Sequence, residues 1–142
     1  MTCTFFGHKD CFEGIKPKLK EVIMNLIDNF GVDLFLVGDK GNFDRIVKSA
    51  LKEIAKEKPQ IKYYVVTPYL PGKPTFYDMN KTVLPEGVEN VPRKFAISYV
   101  NKWMIENSEC SIVYVKRNFG GAYKFSKMAK RKHKIYINLS EK

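Results

Sequence analysis

Four short segments combine residues that bind anions with residues that bind polar organic groups. The first is Gly7–Gly14, reading G-H-K-D-C-F-E-G. Gly7 permits a tight turn and close approach by a ligand. His8 and Lys9 suit a phosphate or a base, and an imidazole can also move protons near neutral pH. A packing role is the other reading of His8. Asp10 suits the cap of a following turn, and Glu13 a cap or a sugar hydroxyl. The second segment is V-G-D-K-G-N-F-D-R, Val37–Arg45. Gly38 and Gly41 bracket Asp39 and Lys40 in a tight turn. Asn42 is placed to cap the helix that follows, whose free amides and dipole favour an anion. Asp39 suits ribose hydroxyls or a base amine. Asp44 is favourable in a first helical turn without any function.

The third segment is Arg93–Asn107. Arg93 and Ile97 share a helical face, as do Ile97 and Asn101. A polar Asn101 on a partly apolar face needs partners, in a neighbouring loop or a ligand. Val100, Trp103 and Met104 read as core or interface. The fourth is Y-V-K-R-N-F-G-G-A-Y-K, Tyr114–Lys124. Lys116 and Arg117 supply charge. Gly120, Gly121 and Ala122 open a helix whose amides can hold phosphate. A plain strand-to-helix turn is the alternative. No H-E-x-x-H, cysteine–histidine metal spacing, G-x-S-x-G elbow, Walker A loop or full G-x-G-x-x-G occurs. No metal or cofactor is therefore expected. His133, in R-K-H-K, is expected to be solvated.

The elements that must position these segments alternate. Strands are predicted at Thr2–Phe6, Val32–Val37, Ile61–Thr67, Cys110–Val115 and Ile135–Leu139. Apolar residues at offsets of three and four predict helices at Lys18–Phe30, Asn42–Lys56, Arg93–Asn107 and Ala122–Lys132. Pro17 suits the first turn of one helix and Gly31 its C-terminal cap. Pro68–Pro92 holds Pro68, Pro71, Pro74, Pro85 and Pro92 with Gly72 and Gly87, and reads as a long loop with one short strand near Thr82–Leu84. Its aromatics Tyr69, Phe76 and Tyr77 suit packing on the body or over a ligand. Strand–helix alternation implies a single α/β domain over residues 1–142, a Rossmann-like three-layer sandwich with a mainly parallel sheet of five or more strands. All four segments then reach the carboxyl edge of the sheet, where such folds bind ligands.

The 142 residues suffice for one domain with a real core. No apolar run reaches membrane-spanning length, and the first residues lack a sustained apolar stretch, so no membrane partner is expected. Three cysteines without a CxxC pair fit a reducing, cytoplasmic setting. Lys and Arg number 25 against 15 acids, a net charge of +10, which attracts polyanions.

The order of blocks carries a resemblance: T-F-F-G-H from Thr4, F-L-V-G-D-K-G-N-F-D from Phe35, Y-Y-V-V from Tyr63, L-P-E-G-V-E-N-V-P-R-K-F-A-I from Leu84, N-K-W-M-I-E-N-S from Asn101, V-Y-V from Val113 and G-G-A-Y-K from Gly120. From Thr4 to Leu139 the chain resembles the small single-domain SLOG proteins of Firmicutes and their phages. The resemblance implies a Rossmann-like fold related to lysine-decarboxylase-like proteins and to the DNA-processing protein DprA. It implies a nucleotide or nucleotide-derived signal as ligand, bound or sequestered, in a setting of phage defence or counter-defence. It also makes a homodimer the expected assembly. Members that cleave a base from a nucleoside monophosphate carry P-G-G-x-G-T-x-x-E. Here Gly120 and Gly121 keep the glycine pair, while the third glycine, the threonine and the glutamate are absent. In this reading Gly120, Gly121 and the helix amides hold phosphate, and Lys116, Arg117 or Arg93 neutralise it. Gly7, His8, Gly38 and Asp39 line the base or ribose. Two alternatives stand beside binding: hydrolysis of a nucleotide, using His8, Glu13 or Asp39, and direct binding of DNA or RNA.

Overall fold

The computed structural model describes residues 1–69 and 82–141. Six strands form one sheet, all parallel: β1 (Thr2–Gly7), β2 (Leu34–Val37), β3 (Lys62–Val66), β4 (Thr82–Val83), β5 (Cys110–Tyr114) and β6 (Ile135–Asn138), in the order β4-β3-β2-β1-β5-β6. Among the described residues four α-helices connect them: α1 (Lys16–Phe30), α2 (Gly41–Glu57), α3 (Ala96–Glu106) and α4 (Gly121–Lys132). This is the expected α/β class, and β4, two residues long at the sheet edge, coincides with the short strand expected near Thr82–Leu84.

Alternation along the strands sends neighbouring side chains to opposite faces. Phe5, Phe35, Val37 and Ile112 join α1 and α2 in one core. Phe6, Leu36 and Val113 join α3 and α4 in the other. Leu19, Ile23 and Leu26 put α1 on the first face, fully buried, each contributing roughly 1.5–3 kcal/mol. Its C-cap Gly31 takes the left-handed φ of 71° that the sequence anticipates. Val100 and Met104 are buried and half-buried Trp103 packs beside them, so that stripe belongs to the core.

Three readings are corrected. Arg93–Phe95 is a 3₁₀ turn, and α3 starts only at Ala96. Val88–Asn90 forms another 3₁₀ turn in the stretch read as loop, with Val88 buried. His133 is not solvated: it is 7% exposed, with Nε2 2.9 Å from the Ile105 carbonyl and Nδ1 3.0 Å from Ser111 Oγ. The carbonyl can only accept, so Nε2 carries a proton. Pro71, Gly72, Pro74, Phe76 and Tyr77 lie outside the described residues. Cys3 and Cys110 face each other in register on β1 and β5, and all three cysteines are free and buried.

The chain runs from β1 outward to β4, then returns to β5 on the other side of β1. The connections leaving β1 and β5 lead to helices on opposite faces. Their loops part there, and a crevice opens at the carboxyl edge.

Candidate functional site

A cavity of about 650 Å³ lies beyond the carboxyl ends of β1, β2 and β3. Its walls are Gly7–Asp10 after β1, Gly38–Lys40 after β2, and Val66–Pro68 after β3. Ile97, Val100, Asn101 and Met104 of α3 close one side. Arg117, Phe119 and the start of α4, Gly120 to Ala122 with Phe125, close another. Of the residues singled out by sequence, Gly7, His8, Lys9, Gly38, Asp39, Asn101, Arg117, Gly120, Gly121 and Ala122 line it. Gly41, Asn42, Arg93 and Lys116 do not.

The α4 end of the cavity is suited to an anion. Gly120 has φ 92° and ψ 177°, a conformation essentially reserved for glycine. Around Gly120 and Gly121 no atom lies within 4 Å of a Cβ position. The Lys124 N–H donates to the Gly120 carbonyl, so the amides before it have no helical acceptor. Arg117 stands beside them, held by two hydrogen bonds to Asp10 at 2.6 and 3.1 Å. The guanidinium in turn holds the Asp10 carboxyl below its ordinary range.

His8 organises this loop. Its Nε2 accepts the Lys116 N–H at 2.9 Å and the Arg117 N–H at 3.3 Å. Nε2 is therefore unprotonated and the neutral ring carries its proton on Nδ1. Burial, and then the Arg117 charge, lower its pKa. His8 thus clamps the ends of β1 and β5 together with the nitrogen a general base would need.

The opposite wall is acidic and polar. Asp39 pairs with Lys48 at 2.5 Å. Asp44 makes no ion pair among the described residues, and its Oδ2 accepts the Lys40 N–H at 3.1 Å. Burial raises the Asp44 carboxyl to about 7 against the opposing Lys40 hydrogen bond and Lys48 charge. Asn101 presents a half-buried side-chain amide with no partner among the described residues. This wall can accept from hydroxyls or amines and donate from the Asn101 amide.

The residues outside the cavity have other work. Asn42 does not cap α2. Lys40 is the N-cap residue, and the Asp44 carboxylate takes its amide. The Asn42 side chain donates to Cys11 O at 2.7 Å and its backbone N–H to Lys9 O at 2.9 Å, tying the β1 loop to α2. Gly41, φ 87°, allows that approach, since a Cβ would meet Lys9 Cα at 2.8 Å. Lys116 lies over the rings of Phe12 and Tyr114 at 5.8 and 5.6 Å. Arg93 lies over Tyr69 at 5.3 Å. Gly7 does line the cavity, but its missing side chain makes room for Phe43 rather than for a ligand: a Cβ there would lie 2.2 Å from Phe43 Cγ.

Sequence reasoning passed over Asp44, Lys40 and Phe119 as site residues. The available signal for Asp44 was its position in the first turn after a glycine-bracketed strand end. That position also suits a purely helical role, so spacing alone could not separate the two. The chain matches no model of a known protein family and no curated protein.

Proposed function

We propose that the cavity binds a nucleotide or nucleotide-derived small molecule. The observation that carries this reading is the pairing of two unlike walls across one cavity. Helix amides at Gly120–Ala122 without a partner among the described residues, backed by Arg117, suit a phosphate. Asp39, Asp44 and Asn101, whose side-chain amide has no partner among the described residues, suit ribose hydroxyls and a base edge. Phe6, Val100, Met104 and Phe125 supply an apolar floor between them. Binding is favoured over hydrolysis by His8, because its Nε2 is committed to backbone amides. Sequestration of a nucleotide messenger between phage and host is the narrower form of the proposal, and it rests on the block resemblance alone.

Mass spectrometry of small molecules released by denaturing the purified protein tests the reading. A stoichiometric phosphorylated nucleoside, reduced in Asn101→Ala and Arg117→Ala, is the expected result. A stoichiometric ligand lacking phosphate would contradict it.

A further inference from the structure

The net charge of +10 is not spread over the surface. Residues 116–134 hold eight of the 25 Lys and Arg residues and no acid. Removing those eight from 25 leaves 17 against 15 acids, so the remaining chain is close to neutral. All eight are exposed, and six of them, Lys124, Lys127, Lys130, Arg131, Lys132 and Lys134, lie on α4 or just after it. None of the six makes an ion pair among the described residues. The α1 and α2 side is more mixed: Lys16, Lys20, Arg45, Lys48 and Lys58 are paired to carboxylates, and Lys52 and Lys56 are exposed without an ion pair among the described residues.

Helix geometry gathers these charges. Phe125, Ser126 and Ala129 are the buried side of α4. Lys124, Lys127 and Arg131 fall at offsets of three and four on the opposite side, with Lys130 beside them. Lys127 and Lys130 lie over the rings of Tyr123 and Tyr136, at 5.1 and 5.6 Å. The helix dipole accounts for cations in the last turn, Lys130 to Lys132. It does not account for Lys124 and Lys127, which precede the last turn, nor for like charges stacked three and four apart, which repel.

We infer that the solvent face of α4 binds the phosphodiester backbone of a nucleic acid, separately from the cavity. A backbone of closely spaced phosphates is the polyanion this array matches. Lysine point charges without a base-reading fork make the contact independent of sequence.

The test is fluorescence anisotropy with 20-nucleotide single strands and duplexes, beside anionic phosphatidylserine vesicles and polyglutamate. Expected is oligonucleotide binding with a log–log salt slope of about −3 to −4, from four neutralised phosphates. The triple variant K127E/K130E/R131E should lose at least about tenfold in affinity, and K127Q/K130Q/R131Q a smaller amount. The control K52E/K56E/K62E changes net charge equally at exposed lysines elsewhere and should bind nearly as the parent does. Equal loss in both charge-reversed triples would overturn the inference. So would vesicle or polyglutamate binding without oligonucleotide binding, or no binding to any polyanion.

Discussion

Gly38 and Asp44 occupy each other's space. A Cβ on Gly38 would stand 2.8 Å from Asp44 Oδ2, so the glycine is what lets the carboxylate lie against the end of β2. Among the described residues the carboxylate has no ion pair, and the nearby Lys48 is paired with Asp39. Its pKa of about 7 has a direct consequence for stability. The folded value lies above the unfolded one, so the native state holds the proton more tightly. The contribution is complete below about pH 4 and is lost as pH rises to about 7. Asp44→Asn should remove that part of the pH dependence. At pH 8 it should be more stable than the parent by about 2 kcal/mol, a figure discounted for partial solvent access. Urea denaturation between pH 4 and 8 checks this; parallel curves for the two proteins would refute it.

His8 has the opposite sign. Its folded pKa is depressed, so its contribution is present above about pH 6.5, the ordinary imidazole value, and is lost as pH falls through the folded value. Protonation would turn Nε2 from an acceptor of two backbone amides into a donor facing them. His8→Ala should cost roughly 1–3 kcal/mol by leaving those amides without an acceptor. Amide hydrogen-exchange protection at Lys116 and Arg117, taken relative to the intrinsic rate at each pH, should fall in the variant and, in the parent, as pH is lowered through the folded imidazole's depressed value. Unchanged exchange at both would show that the clamp is unimportant.

Gly7 and Phe43 make a third prediction. Gly7→Ala forces a carbon into the space of a fully buried ring and should cost about 3 kcal/mol. Phe43→Ala should cost about 3–5 kcal/mol by leaving a void. The two share one volume, so the double variant should lose less than the sum. Strict additivity in denaturant melts would contradict the shared packing.

Much of this architecture was legible from the residues. The runs V-D-L-F-L-V and C-S-I-V-Y-V are too apolar for anything but a covered strand. The stripe Phe43, Ile46, Val47, Ala50, Leu51, Ile54 has one helical solution, and all six are buried. The placement of strand ends follows from that alternation, which is why ten of the predicted positions meet at one cavity. What the residues did not disclose was pairing between distant segments. His133 stands among lysines and looks solvated, but the carbonyl of Ile105 and the hydroxyl of Ser111 meet its ring from two other elements. Asn42 suits a cap by type, yet its amide is taken by Cys11 O, 31 residues earlier. Lys116 follows a strand end and Arg93 precedes a helix, but each lies over an aromatic ring outside the cavity.

The central claim is that a nucleotide's phosphate lies on the first amides of α4. The most direct measurement is a ¹⁵N–¹H titration of the protein with AMP, GMP, CMP and UMP, following the amides of Gly120, Gly121 and Ala122. At least one nucleotide should move these three signals in a saturable way, together with the side-chain amide of Asn101. Arg117→Ala should weaken the effect. Saturable shifts confined to other parts of the protein, or no shift with any of the four at millimolar concentration, would contradict the account.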